Sequence, residues 1–209
     1  MKFINNRKIL FGSLGLVVSL FGINASGAIA QGVKKSERYL SNQEIRSLES
    51  DLQSRVSGGS RFFQERRTSA QINKINNFVN AWQKVDPSIA PFLGSWGGFE
   101  ESLLIYPSKN RGQVCVVLSF FSSSRNMVEN VFNIGTVSGN KLLVMGDLGK
   151  RLVVKKKGTL RSGNKIDFVA VYGAFDGRKA VGEFLFPRLL QEINDARFTG
   201  LGCTASLPF

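Results

Sequence analysis

The segment Val114-Cys115-Val116-Val117-Leu118 predicts a strand that is apolar on both faces. Successive side chains of a strand point to opposite sides of its sheet, so a strand of this kind needs cover on both sides. Phe168-Val169-Ala170-Val171 has the same character. We therefore expect a sheet that curls on itself on one side and is covered on the other by helices.

Turn-forming residues divide the chain on either side of this segment into further strands. The breaks are rich in Gly, Asn, Ser and Asp, as in Ser138-Gly139-Asn140 and Ser162-Gly163-Asn164. Connections this short join antiparallel neighbours, so the region is a meander. Seven or eight such strands can close into a small barrel without exposed edges, the alternative being a strongly curved sheet. The predicted strands are 95–106, 113–121, 127–136, 141–146, 151–157, 166–173 and 179–186.

Two amphipathic helices are predicted before the strands. The first opens with a capping box, Ser41-x-x-Glu44, and ends at residues 57–60. The second begins near Thr68 and stops at Asp86-Pro87, because the residue before a proline is pushed out of the helical region. We expect the pair to form a hairpin packed on the sheet. A groove for a partner is the alternative use of the apolar stripe on the second helix. The apolar faces of the two helices are Ile45, Leu48, Leu52 and Val56, then Ile72, Ile75, Val79 and Trp82.

The fold class that follows is α+β, with a helical segment at 31–88 and a barrel-like domain at 89–209. At the end of the chain, residues 187–196 predict a short helix with Pro187 in its first turn. Residues 200–208 predict a final extended piece.

Residues 1–30 have the order of an export signal. Lys2, Arg7 and Lys8 precede an apolar run at 9–23, and Ala28-Ile29-Ala30 supplies the small residues of a cleavage site. A membrane anchor is the alternative, but the run is shorter than the roughly 20 residues that span a bilayer. We expect cleavage near Ala30 and a mature protein in a periplasm, a lumen or the extracellular medium.

The two cysteines, Cys115 and Cys203, both follow the predicted signal. Exported chains meet an oxidising compartment, so a disulfide is expected, with two buried free thiols as the alternative. The bridge would close a loop whose chain entropy corresponds to roughly 4 kcal/mol of stability.

The chain contains no histidine, which excludes Ser-His-Asp and Cys-His nucleophile systems and histidine-ligated metals. No phosphate-cradling or dinucleotide-binding glycine motif is present either. Glu100 and Glu101 are adjacent on a predicted strand and point to opposite faces, so they cannot act as a glycosidase pair. We predict no catalytic residues, no metal site and no cofactor.

Phe92-Leu93-Gly94-Ser95-Trp96 resembles the G-x-W signature that opens the first strand of lipocalin-like barrels, the nitrobindin-type barrels included. In that group the tryptophan closes one end of the barrel floor. The resemblance covers residues 89–209 through the order of elements, and a disulfide from the last segment to an early strand is also similar. Nitrobindin-type barrels hold haem through a histidine, so haem binding does not carry over to this chain.

The first function hypothesis is an exported, non-enzymatic binding protein that takes a small apolar ligand inside the barrel or at its mouth. Glu101 would orient the ligand, or would instead be a carboxylate at the rim of the barrel that offsets part of the excess positive charge. The residues expected to line the site are Trp96, Phe99, Glu101, Leu103, Phe120, Met145, Phe168 and Tyr172.

The second hypothesis rests on charge. Removing the three basic residues of the signal takes the net charge from +13 to +10. A basic ridge on a hairpin could dock on an acidic protein, a polysaccharide or an anionic membrane, while nucleic acid is disfavoured for an exported chain. The same lysines could instead keep an exposed strand edge from pairing. The ridge consists of Lys150, Arg151, Lys155, Lys156, Lys157, Arg161 and Lys165.

Overall fold

The computed structural model describes residues 38–57, 65–98, 101–122, 127–146, 151–161, 164–175 and 178–208. The predicted signal at 1–30 lies outside these residues, as do Phe99 and Lys150.

Eight antiparallel strands form a closed barrel in chain order, and β8 pairs with β1 to complete it. The predicted antiparallel meander is therefore confirmed, with closure in place of a curved sheet. Closure leaves each strand two neighbours along the ring, which removes the free edges of an open sheet. The strands are β1 (Gly94–Gly97), β2 (Glu101–Pro107), β3 (Gln113–Ser122), β4 (Met127–Ser138), β5 (Lys141–Gly146), β6 (Arg151–Arg161), β7 (Asn164–Phe175) and β8 (Arg178–Arg188).

The single strand predicted at 95–106 is wrong. The chain forms two strands there, β1 and β2, which pair with each other so that Trp96 lies opposite Leu103. The reversal begins at Gly98, whose N–H donates to the carbonyl of Glu101 at 2.8 Å. A Cβ on Gly98 would lie 2.7 Å from the ring of Phe184, so only glycine fits this position. The Gly97-Gly98 pair was the turn signal in the sequence.

The short helix predicted at 187–196 is also wrong. Strand β8 continues to Arg188, and the helix α3 (Ala196–Gly200) begins later. Asp195 caps it, since its carboxylate accepts from the N–H of Arg197 at 2.8 Å. The capping aspartate fixes the helix start, whereas Pro187 lies within β8, at the irregular junction between β1 and β8.

Helix α1 (Asn42–Ser57) lies on the outer wall of the barrel. Its Ile45 and Leu52 are buried in one cluster with Phe168 and Tyr172 of β7. Glu49 is the polar anchor of this contact. Its Oε1 accepts from Lys155 Nζ at 2.8 Å, from Lys157 Nζ at 2.6 Å and from the Tyr172 hydroxyl at 3.4 Å. Burial opposes the charge, but the two lysine hydrogen bonds outweigh it and lower the pKa of Glu49.

Helix α2 (Ser69–Val85) contributes to a different cluster, at the end of the barrel where β1 begins. Thr68 and Gln71 form its capping box. Ile75 and Phe78 are buried together with the 3-10 turn at Ala90–Phe92. The packing of α1 and α2 on each other as a hairpin stays a prediction. The α+β assignment, which depends on it, stays a prediction as well.

No helix within the described residues combines the length and the apolar character that crossing a bilayer requires.

The C-terminal segment, residues 189–208, covers the outer face of β2, β3 and β4. Tyr106 donates its hydroxyl to the carbonyl of Gln191 at 2.8 Å, and its ring meets Phe198 edge-on at 4.7 Å. Cys203 forms a disulfide with Cys115 of β3. The predicted bridge is therefore confirmed, and it fastens the last segment of the chain to the barrel wall.

A buried carboxylate joins the end of α2 to the turn between β2 and β3. Asp86 is 3% exposed, and it accepts from the N–H of Gly112 at 2.6 Å and from the N–H and hydroxyl of Ser88 at 3.1 and 2.6 Å. Burial opposes ionisation, but these hydrogen bonds outweigh it and lower the pKa of Asp86.

Asp86→Asn should lower the free energy of unfolding at neutral pH by about 2 kcal/mol, because an amide can replace only one of the two accepting oxygens. A carboxylate with a lowered pKa stabilises the fold above its unfolded pKa, about 3.9, and the stabilisation is lost as pH falls through the folded value. Urea unfolding of both proteins at neutral and acidic pH tests this. An energy difference that stays constant down to about pH 2 would contradict the assignment.

Candidate functional site

The two faces of the barrel wall follow from the register. Trp96 lies opposite Leu103, and Leu103 opposite Leu118, which places all three on one face. The other face carries Tyr172 and Cys115, which contact α1 and the C-terminal segment. Because the interior of an eight-stranded barrel has room for side chains or one small ligand but not for a helix or a chain segment, the face that contacts these segments is the outer one. Buried valines fill much of the inner face, namely Val114, Val116, Val144, Val154, Val169 and Val171.

Four of the residues predicted to bind a ligand share the inner face: Trp96, Leu103, Phe120 and Glu101. Trp96 and Leu103 are buried. Glu101 lies opposite Phe120 where β2 begins, and desolvation there raises its pKa although the residue is exposed. This position is consistent with both predicted roles of Glu101, which are to orient a ligand and to be a carboxylate at the rim of the barrel.

Three of the predicted residues do not line the interior, which corrects the expected lining. Phe168 and Tyr172 point outward and are buried beneath α1. Met145 also points outward and is 54% exposed. Strands β5 and β7 carry apolar residues on both faces, so apolar character alone could not tell which of them point inward.

A cavity of about 190 Å³ lies at the end of the barrel, between α2 and the inner face; we call it the end pocket. It brings together Trp96, Lys156 and Asp167 from the barrel and Arg67 from the segment before α2. Helix α2, the 3-10 turn and the end of β8 supply the remaining lining, which is mostly apolar: Ile72, Ile75, Asn76, Val79, Ala90, Pro91, Leu93 and Pro187.

Two opposite charges face each other in the end pocket beside the indole ring. Lys156 Nζ is 3.9 Å from Asp167 Oδ2 and 5.9 Å from the centre of the Trp96 ring. The first distance is too long for a strong hydrogen bond, so the pair is a loose ion pair. A polar group of suitable size could therefore contact both charges.

A second cavity, of about 310 Å³, lies on the outer surface where β1 meets β8; we call it the seam cleft. It shares Arg67 with the end pocket. The other residues around it are Glu65, Arg66, Ser95, Gly97, Gly98, Ser102, Leu185, Phe186 and Arg188.

The residues of the predicted basic ridge do not share one face. Lys155 and Lys157 bind Glu49 of α1, whereas Lys156 points into the end pocket. Arg151 lies over the ring of Tyr39 at 6.0 Å. The side chains of Arg161 and Lys165, like all of Lys150, are outside the described part of the chain.

Sequence reasoning missed Arg67 and Asp167, and it assigned Lys156 to a surface ridge. Alternation along β6 already separates Lys156 from Lys155 and Lys157, and this was the available signal. Nothing in the sequence places Arg67 beside Asp167, because 100 positions separate them and only the folded chain brings them to one pocket.

No protein-family model, curated protein or solved structure matches this chain. The closed eight-stranded barrel is compatible with a lipocalin-like small barrel.

Proposed function

We propose that this chain is an exported, non-enzymatic binding protein that holds a small, largely apolar ligand in the end pocket. The observation that carries the proposal is the meeting of Trp96, Lys156 and Asp167 with the apolar side chains of α2 around one cavity. A mostly apolar lining with a few convergent polar groups is typical of small-molecule sites.

The size of the end pocket indicates the size of the ligand. A cavity of about 150 Å³ in a protein core can hold benzene. The end pocket, at about 190 Å³, has room for one aromatic ring with a small substituent. The ring would pack on Trp96 and on the α2 residues Ile75 and Val79.

The charges in the pocket favour one kind of substituent. Arg67 is already occupied, since it binds Glu65 through Nε and Nη2 and donates to the carbonyl of Pro187. Lys156 and Asp167 lie together beside the indole ring as a loose ion pair. A carboxamide suits it best, because its oxygen accepts from the lysine and its N–H donates to the carboxylate.

The two tryptophans allow a direct test. In Trp82→Phe the remaining tryptophan, Trp96, lines the pocket. We expect benzamide to change its fluorescence saturably, with a Kd on the order of 0.1–1 mM for a ligand this small. Benzoate and benzylamine should bind more weakly, because each satisfies one member of the charged pair and repels the other.

Trp96→Phe is the matched control, because its single tryptophan, Trp82, lies outside the pocket lining and donates to the carbonyl of Ser206. It should give no saturable response to benzamide. Lys156→Met should weaken benzamide binding about fivefold or more, the loss of one hydrogen bond to a charged group. A response of equal size in both single-tryptophan proteins, or none from Trp96, would rule out the end pocket as the site.

Export is part of the same proposal and needs its own measurement. The disulfide is compatible with an oxidising compartment. Native mass spectrometry of the protein, isolated gently from its own organism, would give the mature N-terminus and the mass of any retained ligand. A chain that starts at Gln31 is the expected result, and a retained Met1 would contradict export by cleavage.

Docking on an acidic protein, a polysaccharide or an anionic membrane has less support. Glu49 pairs with both Lys155 and Lys157 and offsets one of their two charges, and Lys156 lines the end pocket. Charge on the outer surface is therefore lower along this strand than the sequence alone suggested.

A further inference from the structure

Among the residues that the structure describes, the lining of the seam cleft carries more positive than negative charge. Three arginines, Arg66, Arg67 and Arg188, and one acidic residue, Glu65, line it, which leaves two net positive charges. Arg67 is paired with Glu65 at 2.6 Å. Among the described residues, Arg66 and Arg188 form no ion pair, and both are exposed. Their planar guanidinium groups are thus available for oxyanions.

The floor of the cleft adds neutral donors and close access to the backbone. Ser102 lies opposite Gly97 across the β1–β2 pair, and Ser95 is on the same face two residues earlier. Gly97 has no side chain, and a Cβ there would meet only the carbonyl oxygen of Leu185 within 4 Å, so a bound group can approach the main chain at Gly97. Hydroxyl groups and bare backbone beside arginines are suited to an anion with several oxygens.

The wall of the cleft is built on strained and irregular backbone. The pairing of β1 with β8 shifts register between Ser95 and Gly97, which lie opposite Arg188 and Leu185. Phe186, between those two positions on β8, has φ of 50°, a left-handed conformation that costs a bulky residue free energy. Arg67 lies over its ring at 5.5 Å and donates to the next carbonyl, that of Pro187. Bulges and strained residues of this kind are concentrated at binding sites.

We propose that the seam cleft binds a small phosphate monoester. The phosphate would lie between Arg66 and Arg188 and accept from Ser95 and Ser102, since a group of nearly two negative charges matches the two net positive charges. The organic part would pack against Phe186, which is only partly buried. At about 310 Å³ the cleft is within the range of small-molecule sites and exceeds what an inorganic anion needs. This site does not depend on the end pocket holding a ligand.

Isothermal titration of the full protein with phenyl phosphate, inorganic phosphate and phenyl sulfate tests the proposal. Phenyl phosphate should bind with a Kd on the order of 0.1 mM. Inorganic phosphate should bind about tenfold more weakly because it lacks the ring, and phenyl sulfate also about tenfold more weakly because it carries one charge fewer. If phenyl sulfate bound as tightly as phenyl phosphate, the proposed match between two negative charges on the ligand and two net positive charges in the cleft would be wrong.

Arg188→Gln should weaken phenyl phosphate binding about tenfold, as expected for the loss of one charge-assisted contact. Arg178→Gln is the matched control, because it removes the same charge from an exposed position on the same strand, outside the cleft. It should change the affinity less than twofold. Equal losses in the two variants would show a general charge effect and overturn the site, provided that thermal melts show both to be folded. Benzamide binding at the end pocket should be unaffected by Arg188→Gln.

Discussion

Replacing Cys115 and Cys203 together by alanine should lower the free energy of unfolding by about 4 kcal/mol and the Tm by roughly 10 °C. The bridge joins residues 88 positions apart, so its loss frees a long loop in the unfolded chain. Thermal or denaturant unfolding followed by circular dichroism measures the change.

The same substitution should loosen the C-terminal segment in the folded state. The indole of Trp82 donates to the carbonyl of Ser206 at 3.1 Å, so its emission should shift when the segment separates from the barrel. Trp96→Phe provides the background in which Trp82 alone is observed. Reductant should reproduce the loss of stability in the protein with its cysteines and should have no effect on the alanine variant. Equal Tm values for the oxidised protein and the alanine variant would contradict the prediction.

Trp96→Ala should lower the free energy of unfolding by about 4 kcal/mol. Trp96 is 1% exposed at the end of the barrel, so truncation leaves a large cavity among Leu103, Ile105 and Leu93. Its Nε1 also donates to the carbonyl of Phe92 at 2.8 Å, and this buried acceptor loses its partner. Urea unfolding at neutral pH measures the difference.

Trp96→Phe separates the two contributions. The ring remains in part and only the indole donor is lost, so the cost should be about 1–2 kcal/mol. If alanine and phenylalanine cost the same, the indole hydrogen bond and not cavity formation would account for the effect. The prediction of a packed barrel floor at Trp96 would then be wrong.

The fold was predictable wherever a local signal decides the structure. Turn residues such as Ser138-Gly139-Asn140 limit the length of the strands and make neighbours antiparallel. The strand boundary at Gly97-Gly98 was missed although the sequence has a turn signal there, the pair of glycines. Asp195 was passed over as a helix cap because Pro187 offered a competing start.

The candidate site was less predictable than the fold. Trp96 was found from its motif, and Leu103 and Phe120 from their place on apolar strands. Lys156 was visible in the sequence but was assigned to the surface, and Arg67 gave no signal. Each of these two residues has a role only through neighbours that are distant in the chain: Asp167 and α2 for Lys156, Phe186 and Pro187 for Arg67.

The sequence by itself determined an antiparallel meander able to close on itself, two cysteines suited to a bridge, and the absence of histidine chemistry. These properties depend on residue types and short spacings. Only the tertiary structure decided that Phe168 and Tyr172 face α1 while Val169 and Val171 face the interior. When both faces of a strand are apolar, alternation carries no preference for either one. Closure of the barrel and the packing of distant segments then choose the inner face, and with it the residues around each cavity.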